Sequence, residues 1–123
     1  FIGEYMKIKV LNLIGGTEMK ESIKALENGV QIVVGSPGRV LDLLKKNYLK
    51  LAYLKVLILD EADDLLQKGF LENMKEIISL IPTECRINLF SATMPKEIVS
   101  LTSNFMNDPV KILVKNEELN LKG

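Results

Sequence analysis

The sequence predicts a doubly wound α/β domain built on a parallel sheet. Short apolar runs alternate with amphipathic stretches four times along the chain, the signature of strands joined by helices. Residues 56–59, Val-Leu-Ile-Leu, show no polar alternation, as in a strand covered on both faces inside a parallel sheet. Polar clusters follow the apolar runs at equivalent places, beyond the carboxyl ends of the strands, where ligands gather in such folds.

Each element has a local reason. Phe1, Ile2, Tyr5 and Met6 form a helix-like stripe with no start signal, so the chain reads as beginning in mid-element, as a piece of something longer. Residues 7–14 are short and mostly apolar and end at Gly15-Gly16, which predicts a strand and a turn. Thr17 can cap a helix running through Ser22, Ile23 and Leu26 to about Asn28, and Gly29 stops it. Residues 30–34 predict the next strand; Ser36 is a candidate cap and Pro37 suits a first helical position. Val40, Leu41, Leu43 and Leu44 supply the buried side of that helix. After the strand at 56–59 come four carboxylates, Asp60, Glu61, Asp63 and Asp64, and then Gly69-Phe70 leads into a helix with Met74, Ile77, Ile78 and Ile81 at helical spacing, ended by Pro82. Residues 86–90 predict a strand, Pro95 opens a helix carrying Ile98, Leu101 and Phe105, and residues 110–114 predict a last strand after Asp108-Pro109. The polar tail, 115–123, reads as a linker toward another module.

Composition narrows the function. The 123 residues suffice for one core, and 47% apolar against 26% charged residues is the balance of a globular domain. Sixteen basic residues balance sixteen acidic ones, which argues against a strongly basic nucleic-acid arm without excluding a local positive groove. Histidine is absent, so Ser/His/Asp or Cys/His catalysis and histidine-rich zinc sites are excluded within the chain. Cys85 is the only cysteine and cannot form an intrachain disulfide, which points to a reducing intracellular compartment, cytoplasmic or nuclear, with the thiol inert. No apolar run is long enough to span a membrane, so no membrane partner is expected. The aromatics read as parts of apolar faces, and recognition of nucleic acid by stacked bases is not expected.

The clusters can support phosphate chemistry. Asp60, held at the end of a strand, can bind Mg²⁺ through the ion's retained waters, and Glu61 can take a proton from a water attacking phosphorus. Acidic residues also favour the positive end of a helix, which explains them without catalysis. Ser36, Gly38 and Arg39 at a helix start can hold an anion, or can form an ordinary capped turn. Gly15 and Gly16 allow a close backbone approach or simply a tight turn. Ser91 and Thr93 can bond a neighbouring strand end at Asp63, or cap the helix after Pro95.

Taken together and in this order, "IGG", "SPGR", "DEAD" at 60–63, "SAT" at 91–93 and "FMNDP" resemble the DEAD-box ATP-dependent RNA helicases, and the ending looks like the translation-initiation subgroup and its exon-junction relatives. The resemblance implies a RecA-like parallel sheet with helices on both faces, binding ATP and Mg²⁺ against a second RecA-like domain and clamping RNA by its sugar-phosphate backbone. It implies that Asp60 is the magnesium-water carboxylate and Glu61 the residue acting on the attacking water. It implies that Asp63, Ser91 and Thr93 link nucleotide state to RNA state, and that Gly15, Gly16, Ser36, Gly38 and Arg39 contact RNA. Ser36 stands where the family more often has Thr and keeps the hydroxyl.

The sequence contains no Gly-rich phosphate loop ending in Gly-Lys-Thr or Gly-Lys-Ser, and neither the adenine-reading glutamine segment nor "PTRELA". It is therefore read as the carboxyl-terminal two-thirds of a first RecA-like domain, residues 1–114, followed by the start of the interdomain linker, 115–123, lacking the amino-terminal phosphate-loop strand. Such a piece is expected to be inactive alone and not to bind ATP and Mg²⁺ by itself. The gap left in the sheet motivates an expectation of self-association, and translation or splicing factors are the further partners implied. Two other readings remain: a non-enzymatic RNA-binding or protein-docking module, and an unrelated Mg²⁺-dependent phosphohydrolase, which would leave the clusters other than Asp60-Glu61 idle.

Overall fold

A computed structural model describes residues 2–13 and 18–114. Its elements run α1 (Ile2–Met6), β1 (Val10–Leu13), α2 (Met19–Glu27), β2 (Ile32–Gly35), α3 (Pro37–Lys45), β3 (Val56–Leu59), α4 (Ala62–Gln67), α5 (Leu71–Leu80), β4 (Arg86–Leu89) and α6 (Lys96–Phe105). This is alternating β/α, RecA-like architecture with parallel strands flanked by helices, as the sequence predicts.

The strands pair as two parallel two-stranded sheets, β1 with β2 and β3 with β4. Val10 lies opposite Ile32 and Leu13 opposite Gly35, while Val56 faces Arg86 and Leu59 faces Leu89. The Leu13–Gly35 pairing accounts for the glycine: a Cβ there would lie 2.7 Å from Leu13 Cβ and 3.4 Å from Val40 Cγ2. Gly29 ends α2 at φ +78°, a left-handed conformation that a side chain disfavours. Pro37 occupies the first turn of α3, whose first free N–H it removes at no loss.

Two apolar clusters form the core. Leu11, Leu13 and Leu43 join β1 to α3, with Ile23, Leu26 and Val40 packed around them. Leu59, Met74, Ile78 and Leu101 join β3 to α5 and α6. The halves meet where α3 packs on α5, and Lys45 and Glu76 bridge them at 3.0 Å. Both side chains of that ion pair are largely exposed, so the apolar contact carries the joint.

The structure departs from the sequence reading at definite places. Residues 110–114 lie outside any strand, and Val110 and Val114 are 90% and 89% exposed. Their apolar, β-branched character favours a strand, but a strand exists only against a partner, and none is supplied among the described residues. β3 is covered on one face alone: Leu59 is buried, whereas Val56 and Ile58 are exposed. A continuous apolar run thus reported β-propensity rather than burial on both sides. The short helix α4 follows Asp60-Glu61 directly, anchored by the fully buried Ala62. The aromatics are also less buried than their spacing suggests, with Tyr5, Tyr48, Tyr53 and Phe90 all exposed. The expected turn at Gly15-Gly16, the Thr17 cap and the linker at 115–123 lie outside the described residues.

Candidate functional site

The carboxylate cluster is positioned by the end of β3. Leu59 is held in the core, so Asp60 leaves the sheet at its carboxyl edge with an exposed side chain. Asp60 Oδ1 accepts a hydrogen bond from the Glu61 N–H at 2.9 Å. That bond accompanies an unusual backbone: Glu61 sits at φ 49°, ψ 49°, in the left-handed region, as the residue preceding α4. A non-glycine side chain there is strained by roughly 1–3 kcal/mol and is retained only where its surroundings impose it. Here they do: the Glu61 carbonyl accepts from Leu65 N–H at 3.0 Å, and Ala62 N–H donates to the Phe90 carbonyl at 3.0 Å. Phe90 N–H in turn donates to the Leu59 carbonyl at 2.8 Å, so the β4 end braces the turn that carries Asp60 and Glu61.

One turn further on, the two strand ends are tied through side chains. Asp63 Oδ2 accepts from the Thr93 hydroxyl at 2.8 Å and from the Thr93 N–H at 2.9 Å. Asp63 N–H donates to Ser91 Oγ at 3.2 Å, and that hydroxyl donates to the Thr93 carbonyl at 2.6 Å. The Thr93 hydroxyl above all, with the Ser91 hydroxyl and the backbone N–H groups of Thr93 and Asp63, holds the Asp63 carboxyl below its ordinary value, against a smaller opposing effect of burial. Asp63, Ser91 and Thr93 therefore form one closed network, as their spacing suggests; capping of α6 is not what the two hydroxyls do, since no side chain caps that helix.

The other predicted residues stand apart from this network. Ser36 precedes α3 with its carbonyl accepting from Val40 N–H at 3.0 Å, but its hydroxyl makes no cap bond. Gly38 is half-buried, and a Cβ added there would make only ordinary contact, 3.5 Å from Phe70 Cε1, so packing does not require a glycine at this position. Arg39, next along, is half-buried. Gly15 and Gly16 lie outside the described residues. Asp64 belongs to a different arrangement, a surface pair with Lys68 at 2.7 Å, which raises the Lys68 pKa. Burial raises the pKa of the Cys85 thiol, consistent with an unreactive cysteine.

The donors fit a magnesium ion of one kind only. Among the described residues no group of three or more ligand side chains converges, so nothing here resembles an all-protein cage. Asp60 offers a single exposed carboxylate, which matches an ion that keeps its waters and arrives with substrate phosphates. Sequence reasoning missed two contributors, the left-handed Glu61 and the Phe90 backbone. Neither has a sequence signal, because Glu gives no warning of a positive φ and a backbone carbonyl is the same in every residue.

Comparison with known proteins agrees with this geometry. The family model described as DEAD/DEAH box helicase matches residues 1–101. The ATP-dependent RNA helicase eIF4A of Candida albicans is 51% identical over 122 residues, covering 99% of this chain and 31% of that protein. Its counterpart in Pyricularia oryzae is 46% identical over the same length, again covering 31% of the relative. The crystal structure of a DEAD box protein from the hyperthermophile Methanococcus jannaschii superposes with a TM-score of 0.79 at 44% identity, over 82% of this chain and 28% of the other. That of a hypothetical ATP-dependent RNA helicase from Sulfolobus tokodaii gives 0.80 at 38% identity, over 87% of this chain and 32% of the other. The chain thus spans under a third of the curated relatives it matches.

Proposed function

Because the chain belongs to the DEAD/DEAH box helicase family, we propose that it serves as the carboxyl-terminal two-thirds of a first RecA-like domain, residues 1–114, in an ATP-dependent RNA helicase, with 115–123 leading to a second such domain. The observation that carries this reading is the closed Asp63–Ser91–Thr93 network beside the exposed Asp60 and the strained Glu61. It joins two strand ends through side chains, so a change at one is felt at the other.

In the longer protein Asp60 would hold Mg²⁺ through water, and the bound ion would offset charge on the phosphate oxygens of ATP. Glu61 orients the attacking water and accepts its proton, from a position that the left-handed backbone fixes. Asp63 passes the state of that edge to the segment containing Ser91 and Thr93. Ser36, Gly38 and Arg39, with Gly15 and Gly16, contact the RNA backbone, which carries little sequence information. The names of the relatives support translation initiation over a splicing role. A cytoplasmic or nuclear, reducing compartment belongs to the same reading, as does self-association of the chain through its unpaired strand edges.

The test has two arms. Calorimetric titration of the 123-residue chain with a Mg²⁺-bound, non-hydrolysable ATP analogue should give no heat, because Asp60 and Glu61 act only beside a phosphate-binding loop that this sequence does not contain. Saturable micromolar binding would overturn that part. In the longer protein, Glu61→Gln should lower ATP turnover by at least two orders of magnitude, the range expected for loss of a general base, while RNA binding persists. Unchanged turnover would remove Glu61 from the chemistry.

A further inference from the structure

The loop between α3 and β3 lies at the opposite end of the strands from Asp60 and is unlike the rest of the surface. From Leu43 to Leu59 the sequence has four lysines, Lys45, Lys46, Lys50 and Lys55, and no acidic residue. Two of these have partners: Lys45 pairs with Glu76 and Lys46 with Asp42, at the end of a helix whose dipole favours cations. Lys50 and Lys55 make no ion pair among the described residues, and neither does Arg86, whose backbone N–H donates to the Lys55 carbonyl at 2.9 Å where β4 begins beside β3. Glu84 is the acidic residue nearest in sequence to Arg86.

Two exposed tyrosines lie in the same loop as Lys50 and close to Lys55 in sequence. Tyr53 is 90% exposed and Tyr48 46%. The loop that carries them is not loose: Leu54 N–H donates to the Leu51 carbonyl at 2.9 Å, Tyr48 and Leu49 N–H both donate to the Leu43 carbonyl, and Leu49 packs into the β1–α3 cluster. The fold thus turns Leu49, Leu51 and Leu54 toward the protein while leaving Tyr53 in water, although the ring contributes nothing there to the core. An exposed ring in a pinned turn that unpaired lysines flank in sequence suits a strand of nucleotides, whose bases stack on rings and whose phosphates meet ammonium and guanidinium groups. An acidic peptide would use the charges and leave the ring idle.

From this arrangement we infer that Tyr53, with Lys50, Lys55 and Arg86, forms a second contact for single-stranded RNA, at the amino-terminal edge of β3 and β4, separate from the Asp60 edge and independent of nucleotide. It does not rest on the helicase reading, which places RNA at the Ser36–Arg39 edge.

The experiment is fluorescence anisotropy of the chain with an oligouridylate of about fifteen nucleotides, without ATP. Tyr53→Ala should weaken binding on the order of tenfold and Tyr53→Phe should preserve it, since stacking needs the ring and not the hydroxyl. Lys50→Ala together with Lys55→Ala should lower the salt dependence, by roughly 0.7 in log-log slope for each phosphate no longer neutralised. All these side chains are exposed, and circular dichroism checks that the variants keep the fold. Arg39→Ala separates the two edges: it removes only the share of binding made at its own edge, and Tyr53→Ala should weaken what remains by the same factor; a loss confined to Arg39→Ala, with Tyr53→Ala binding like the unaltered chain, would overturn the inference while supporting the other site. Equal affinity of Tyr53→Ala and the unaltered chain, or tighter binding of poly-glutamate than of RNA, would also overturn it and mark the patch as a protein-docking surface.

Discussion

Asp63 is a surface carboxylate whose behaviour is set by a few hydrogen bonds. Its pKa lies below the ordinary 3.8, chiefly through the Thr93 hydroxyl, so the folded chain releases this proton more readily than the unfolded one. The network therefore contributes its full stability above pH 3.8 and loses it as pH falls through the lowered value. Carbon-detected NMR titration should place the Asp63 midpoint under 3.8, and Thr93→Val should move it back up; a midpoint at or above the ordinary value in the unaltered chain would contradict the network. The pairing of Asp63 with Ser91 and Thr93 was legible in the sequence, because "DEAD" and "SAT" each follow an apolar run and parallel strands bring such ends together. The strain at Glu61 was not legible, since it is imposed in part by the bond from the neighbouring Ala62 N–H to the Phe90 carbonyl, which exists only once the strands are paired.

At the scale of elements, local chemistry predicted boundaries well where it was punctuated. Gly29 stops α2, Pro37 starts α3 and Pro95 precedes α6, each within the first or last turn expected. Gly35 is different, because its reason is non-local: the glycine is required by Leu13 on the neighbouring strand and Val40 on the following helix. Gly35→Ala should cost about 1–3 kcal/mol, the range for forcing a methyl into a packed site, read as a lower urea midpoint with an unchanged slope. A midpoint equal to that of the unaltered chain would mean that β1 and β2 can separate without loss. The short helix α4 escaped the sequence reading for a related reason: its six residues offer too little periodicity to register, and burial of Ala62 against the protein decides it.

The whole molecule is where sequence pattern says least, since periodicity identifies strands without saying which edges meet. The sequence predicts a parallel sheet with a gap where the phosphate-loop strand is lacking, without saying how the remaining strands divide; the four strands form two separate pairs, each strand having a single partner among the described residues. Two-stranded sheets are marginal by themselves, and these also leave Val10, Ile32, Val34, Val56 and Ile58 exposed on one face. Residues 110–114, Val-Lys-Ile-Leu-Val, are apolar and β-favouring, outside any strand and almost wholly exposed. Unpaired edges beside an unpaired strand-forming segment favour association between copies. Static light scattering of the chain should accordingly show a mass that rises with concentration. Ile112→Lys with Val114→Lys should restore the monomer, because a charge at alternate positions makes the segment a poor strand without touching either core cluster. A monomeric mass at every concentration would show that the edges are closed by the chain itself, and would remove self-association from its properties. A mass that rises equally in the double variant would instead assign the contact to the exposed sheet face, where Ile32→Lys or Ile58→Lys should then be the substitutions that abolish it.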